Sequence, residues 1–377
     1  MTQQASLRNV ALAIAQRVPP HLRQNPTCRS LPNLETLAKV RDVKLLATGG
    51  YNSVWLVNLD EPLEVLEPTS TSSTQVNQFI VRLPFEDALL PNQIANDVAF
   101  KRFVATKLPH IPTPKVYLYQ ATSEAATSFT VEEYIDSPAL SATWMSLTYP
   151  QKNSLAQKLA ATIVDLAEIR FDRIGGLDPT DFSLAPTVEG CKLFKGRGKF
   201  HRNECYPIGP YKSTKEYILN CYDREIYYYT HAKEDIDEDT FVDVTRGVFV
   251  EDLKKKRTAL ENATVVDEPF VLVHGDFHAR NVLAKGDQIA AIIDWDFAGS
   301  YPLSEALTSE SFEVLDTSKD DEEEDEIMEW QGKIDGFVRD EVVKRGWPQS
   351  EIDLLMGPAN HELANARLEM IPDFFYY

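Results

Sequence analysis

The stretch "VLVHGDFHARNVL", residues 271–283, places His274, Asp276, His278, Arg280 and Asn281 directly after a run of aliphatic residues. Three readings of it lead to different proteins. Residues two apart share a face of a strand, so His274, Asp276 and His278 are of the right types to converge on zinc or iron. A partner motif for them is missing elsewhere in the chain. A buried strand with a polar exit is the plainest alternative. The third reading is the catalytic loop of a phosphoryl-transfer enzyme, and it requires particular residues at other places.

Those places are occupied in the required chain order. Transfer of a γ-phosphoryl group needs a carboxylate to accept the acceptor's proton, oxygen ligands for magnesium, a glycine turn over the phosphates and a cation on the α/β-phosphates. Gly49-Gly50 lie between two strand patterns in "RDVKLLATGGYNSVWLVNLD" (41–60), where missing side chains let backbone N–H groups approach phosphate. Asn52 and Ser53 are expected to add donors. Arg82 in "FIVRLPF" is a fixed cation, with Asp97 in the helical stretch that follows as its partner. Asp276 is the candidate base and Asn281 the candidate metal ligand. Asp294, thirteen residues beyond Asn281, follows a second aliphatic strand in "AAIIDWDFAG", where a magnesium carboxylate belongs.

Composition narrows the class. The chain has 377 residues, 43% hydrophobic and 10% aromatic, enough for roughly two domains of ~150 residues each. A formal net charge of −20 argues against nucleic-acid binding and permits cationic substrates. Cys28, Cys191, Cys205 and Cys221 form no CxxC pair and follow no signal-like segment, which suits a reducing compartment. No apolar run approaches ~18 residues, so no membrane partner is expected. A cytoplasmic location follows, although the acid-free, arginine-containing stretch before Glu35 also overlaps in composition with a mitochondrial transit peptide. Its other reading is an amphipathic helix, "LRNVALAIAQRV", stopped by Pro19-Pro20.

Along the chain, an N-terminal helical extension (1–40) precedes a strand-rich region (41–135) and a helix-rich region (136–377). In the second, "EPLEVLEPTSTSSTQVNQ" has loop composition. In the third, "QKNSLAQKLAATIVDLAEIRF", "TKEYILNCYDREIYYYTHAKEDI" and the stretch ending "GFVRDEVVKRG" have helical periodicity, and the acidic block "SKDDEEEDE" (318–326) is expected to be solvated or disordered.

From residue 41 to 305 the sequence resembles the aminoglycoside phosphotransferase and choline kinase-like family. The segments that carry the resemblance are "TGGYNSVWLV", "FIVRLPF", "IPTPKVYLY", "FTVEEYID", "LVHGDFHARNVL" and "IAAIIDWDFAG". "IGPYKSTKEYILNCYDREIYY" is similar to the equivalent segment of fungal members. The resemblance implies an α+β, two-lobed, protein-kinase-like fold with a small β-rich N-lobe and a larger helical C-lobe. It also implies ATP and Mg2+ as cofactors and a hydroxyl of a small molecule as acceptor. Residue by residue, it makes Asp276 the catalytic base, Asn281 and Asp294 the magnesium ligands, and Glu133, Tyr134 and Ile135 the hinge whose backbone meets adenine. His274 becomes structural.

Three positions depart from the family pattern: Arg82 for lysine, Asp97 for glutamate, and a second carboxylate at Asp296, which supports metal or accepts a hydrogen bond. The first two motivate a second reading, a pseudokinase-like binding or scaffold protein. Gly275 stands where protein kinases have arginine, and "FAGSYPLSEAL" is expected to run straight into helix without an activation segment, which favours a small acceptor over a peptide. Acceptor contacts are expected from 186–260 and the last helices, and "MIPDFFYY" as a packed tail.

Overall fold

The computed structural model describes residues 3–18, 21–23, 39–66, 73–188, 198–232, 245–307, 312–313 and 321–356. Pro19-Pro20, Cys28, Cys191, residues 318–320 of the acidic block and the "MIPDFFYY" tail lie outside them. The chain divides into two compact units. One contains residues 1–138 with the short segments Leu177–Ser183 and Ala290–Asp296, and the other contains the remainder.

The first unit is built on a six-stranded sheet. Its elements are α1 (Gln3–Arg17), β1 (His21–Arg23), β2 (Val40–Thr48), β3 (Asn52–Leu66), β4 (Ser73–Pro84), α2 (Asn92–Lys107), β5 (Val116–Gln120) and β6 (Phe129–Glu133). The strand order is β1-β3-β4-β6-β5, with β2 also paired to β3. All pairings are antiparallel except β1 with β3. β2 and β3 form the expected hairpin around Gly49-Gly50.

Of the segment 61–78, expected to be a loop, residues 61–66 and 73–78 are strand, and 67–72 lie outside the described residues. β3 continues to Leu66 and β4 begins at Ser73, with Leu63 opposite Val76 and Glu64 opposite Gln75. Serine and threonine counted towards a loop, but Leu63 and Val76 are buried and alternate with polar neighbours, which is the pattern of a half-buried ladder.

Period-2 alternation divides this sheet into two chemically different faces. Val57, Phe79, Val81, Leu83, Phe129 and Val131 are buried in one core cluster with Ala11, Ile14, Ala15 and Val18, so the apolar stripe of α1 covers that face. The intervening residues Arg82, Thr130 and Glu132 are turned to the opposite face, where Ile94 and Val98 of α2 pack on Val116 and Tyr119. α2 thereby brings Asp97 and Lys101 onto the polar face.

The second unit is mainly helical, with helices Tyr149–Ala167, Thr214–His231, Arg246–Asn262, Asp321–Lys344 and Gln349–Met356. The first of these has a capping box between Thr148 and Gln151 and packs against Asp321–Lys344. The acidic block is therefore helical from residue 321 onward rather than disordered, and Glu326 pairs with the buried amine of Lys152. An antiparallel sheet places the strand Phe270–Val273 between Gly299–Pro302 and Arg170–Phe171. "FAGSYPLSEAL" forms the strand Gly299–Pro302 and a single 3-10 turn, Leu303–Glu305, instead of the expected helix. Among the described residues no helix is long and apolar enough to cross a membrane.

Candidate active site

On the polar face of the first unit, one guanidinium is shared among four carboxylates. Arg82 donates through NH1 to Asp97 (3.1 Å) and through NH2 to Asp294 (2.7 Å) and Asp296 (3.0 Å). Glu132 lies 3.7 Å from NH1. The Arg82 side chain is 11% exposed. Burial opposes its charge, but Asp296, Asp97, Asp294 and Glu132 outweigh it and hold its pKa well above the ordinary value.

Asp97 is the hinge of this network. Its Oδ2 accepts from Arg82 and, at 2.7 Å, from Lys101 one helical turn later. Its Oδ1 accepts from the backbone N–H of Trp295 at 3.0 Å. Burial pushes Asp97 up to about 6 against the pull of Lys101 and Arg82. Glu132 moves the other way: burial would raise it, but Lys101 at 2.7 Å and Arg82 hold it below the usual range. Asp296 is raised by burial, with Arg82 opposing and Asp294 reinforcing.

Asp296 is a structural acceptor. Its Oδ2 takes Gln93 Nε2 (2.6 Å) and Asn52 Nδ2 (3.0 Å), and its carbonyl takes Asn96 Nδ2 (3.0 Å). Asp294, by contrast, is 37% exposed and sits at φ +63°, a left-handed conformation uncommon for a residue with a side chain. That backbone turn sends Asp294 and Asp296 to different surroundings, although both reach Arg82. A small pocket lies here, lined by Asn52, Arg82, Ile94, Asp97, Thr130 and Asp296.

The strand alternation corrects one expectation about the turn. Asn52 and Ser53 are adjacent on β3, so they face opposite sides of the sheet. Asn52 reaches Asp296, whereas Ser53 is 1% exposed and its hydroxyl accepts from the Trp55 indole at 3.0 Å on the α1 side. Gly49 spends its N–H on the Asn52 carbonyl (2.9 Å), and a Cβ at Gly50 would meet open space. In the segment expected to serve as the hinge, Glu133 exchanges hydrogen bonds with Lys115 through its backbone N–H (2.8 Å) and its carboxylate (3.1 Å). Ile135 O accepts from Ser137 N (2.9 Å), and Tyr134 donates to Asp136 (3.3 Å).

The second unit carries the loop 274–281. Gly275 has φ +80°, and a Cβ there would lie 2.2 Å from the carbonyl oxygen of Phe297, so the loop admits only glycine at this position. The turn presents Asp276, whose carboxylate is 13% exposed. Arg280 donates to its Oδ1 at 2.7 Å and His278 lies 3.0 Å from the same oxygen. Asn281 Nδ2 donates to Oδ2 and to the Asp276 carbonyl, both at 2.8 Å. Burial would raise Asp276, but the His278 hydrogen bond and the Arg280 charge prevail and keep it below its ordinary value. His274, 2% exposed, lies behind the loop and its Nδ1 accepts from the Asp276 N–H at 3.3 Å. Arg280 is thereby bound to the catalytic-base candidate.

For a zinc or iron site, no group of three or more His, Cys, Asp or Glu among the described residues is arranged to hold a metal ion. Magnesium asks for less protein, because it takes one or two carboxylates and draws its other oxygens from phosphate and water. The exposed carboxylate of Asp294 and the amide oxygen of Asn281 are donors of that kind, and the commitment of Asn281 Nδ2 to Asp276 fixes which end of the amide is left for a cation.

Sequence reasoning missed Lys101, Glu132 and Gln93. A signal was present for two of them: Lys101 follows Asp97 by one helical turn in α2, and Glu132 shares the strand face of Thr130, opposite Val131.

A glycine turn, a carboxylate-paired strand cation, an HGDxxxxN loop and an IDWD strand end together define a kinase-type phosphotransferase class. The model of APH, the phosphotransferase enzyme family, matches residues 42–309, and the chain belongs to that family. Its organisation is α+β, with a β-rich first unit and a mainly helical second unit. A thermostable mutant of aminoglycoside phosphotransferase APH(4)-Ia in its apo form is 16% identical, with 89% of this chain and 86% of that chain covered at a TM-score of 0.45. The streptomycin–ATP ternary complex of APH(2'')-IIa is 15% identical, with 90% and 86% covered at a TM-score of 0.47. A subtelomeric hrmA-associated cluster protein of Aspergillus fumigatus is 25% identical over 138 residues, which is 36% of this chain and only 24% of that protein's length.

Proposed function

We propose that the protein transfers the γ-phosphoryl group of ATP, with magnesium, to a hydroxyl of a small molecule. The observation that carries this reading is the Asp276 carboxylate, kept ionised at the tip of a glycine-bent loop with Asn281 pinned to it. A carboxylate offers about four lone-pair sites. Arg280 and His278 take those of Oδ1 and Asn281 takes one of Oδ2, which leaves Oδ2 for the acceptor's hydroxyl. As the acceptor oxygen bonds to the γ-phosphorus and the bond to the β-bridging oxygen breaks, the hydroxyl proton passes to Asp276 and ADP departs. Arg82 binds the α/β-phosphates, Gly50 leaves room for backbone approach to them, and the Glu133–Ile135 backbone meets adenine. Asn281 and Asp294 would hold magnesium, which supplies neutralisation of the charge that builds on the phosphate oxygens.

Thermal unfolding with and without ATP and magnesium tests the reading, using wild type and Asp294→Asn, since asparagine tolerates a positive φ. Ligand at ~100 times its dissociation constant stabilises by ~2.7 kcal/mol. The expected result is a magnesium-dependent shift with ATP that is lost in Asp294→Asn. A second reading, a binding protein without turnover, draws on Arg82 being bonded to Asp294 and Asp296. It predicts a nucleotide shift without ATP consumption for any hydroxyl acceptor.

A further inference from the structure

Lys101 is an expensive residue to have where it is. Its amine is buried at 1% exposure, and an ammonium taken out of water costs several kcal/mol unless well paired. It does not itself line the pocket, yet it donates at 2.7 Å to both Asp97 and Glu132, the two carboxylates that also approach Arg82 NH1. The distances show a division of partners. Glu132 Oε2 is held by Lys101 and Oε1 by Thr130 at 2.6 Å, so Glu132 stays at 3.7 Å from Arg82. Arg82 is left with Asp97 on one side and its NH2 directed at Asp294 and Asp296.

Resting on the nucleotide-binding reading above, we infer that Lys101 is a positioning residue for ATP: by holding Glu132 at 3.7 Å it keeps a fourth carboxylate from hydrogen-bonding Arg82, so that the phosphates compete only with Asp97, Asp294 and Asp296 for the guanidinium. Without Lys101, Glu132 is a buried carboxylate whose nearest cation is Arg82, and a charge-assisted contact to Arg82 would turn the guanidinium away from the ligand. Asp97, one methylene shorter than glutamate, gains from the same ammonium a second anchor for its Oδ2. Phosphate recognition then depends on a residue that meets no phosphate.

The test compares ATP with adenosine, which has no phosphates, by measuring the dissociation constant of each for wild type, Lys101→Met and Lys101→Met/Glu132→Gln. Lys101→Met should weaken ATP by about tenfold, the scale of one displaced charged hydrogen bond, and leave adenosine nearly unchanged. The double variant removes the competing carboxylate and should restore ATP to within about threefold of wild type, inside the context scatter of such contacts. Lys101→Ala also removes both donors but leaves room for water beside the two carboxylates, so it carries the same comparison if Lys101→Met fails to fold. Equal losses for ATP and adenosine, no loss at all, or no recovery in the double variant would overturn the role of Lys101 while leaving the enzyme reading intact. Wild type that binds neither ligand would overturn the nucleotide reading itself, and this inference with it.

Discussion

Replacing Gly275 by alanine adds one methyl group at the point where the loop turns into Asp276. Two costs are visible in the structure. The backbone sits at φ +80°, which an L side chain disfavours by about 1–2 kcal/mol. The new Cβ would also lie 2.2 Å from the carbonyl oxygen and 2.7 Å from the carbonyl carbon of Phe297, atoms that cannot rotate away as a side-chain end can. Overpacking of this kind costs a further ~1–3 kcal/mol. The sum, about 2–5 kcal/mol, corresponds to roughly 5–15 °C in Tm for a unit of this size. Relief by moving the loop would displace Asp276, so turnover should fall further than the folded fraction does. The matched control is Gly332→Ala in the helix Asp321–Lys344, where nothing lies within 4 Å of the added Cβ. There alanine should stabilise by about 0.5–1 kcal/mol, because glycine is the poorer helix former. Differential scanning calorimetry on the three proteins gives the comparison. If Gly275→Ala unfolds within ~2 °C of wild type, the steric account of the HGD turn is wrong.

Other perturbations separate the remaining roles. Asp276→Asn should lower kcat by about 10²–10⁴-fold, the usual worth of a positioned base, with ATP affinity nearly unchanged; a parallel loss in both would remove Asp276 from the base role. Arg82→Lys replaces a fork that donates separately from NH1 and NH2 by a single ammonium, so the ATP dissociation constant should rise about tenfold while adenosine is spared. Equal affinity for ATP would show that the fork is not used. Asp97 supplies a pH test. Its folded pKa of about 6 exceeds the unfolded value of about 4, so the folded state holds the proton more tightly, and stability from this group is greatest below pH ~4 and lost as pH rises through ~6. Nucleotide binding should change in the opposite sense, because protonated Asp97 no longer anchors the Arg82 fork in position: titration from pH 7 to 5 should weaken ATP relative to adenosine more in wild type than in Asp97→Asn, and equal pH dependence in the two would refute the coupling.

Much of the fold was legible because its signals are local. The glycine between two β-patterned runs predicted the β2–β3 hairpin, and the helical periods predicted α2 and the long helices of the second unit. Composition misled where tertiary contacts overrode it. Ser73 and Thr74 were taken into β4 because Val76 and its partner Leu63 find a buried face, and the acidic run was taken into a helix whose Glu326 meets Lys152. The same distinction holds within the candidate site. Asp276, Asn281 and Asp294 stand out in the sequence because phosphoryl transfer demands those residue types at that spacing. That Ser53 turns inward while Asn52 does not follows from strand alternation, but which face is polar was settled only by α1 covering the other. That Arg82 is shared by Asp97, Asp294 and Asp296, and that Lys101 keeps Glu132 apart from it, required residues up to 214 positions apart to be brought together. A linear pattern specifies which groups the chemistry has available. Packing decides how charges are divided among them, because in a low-dielectric interior each carboxylate goes to the cation that the backbone brings nearest.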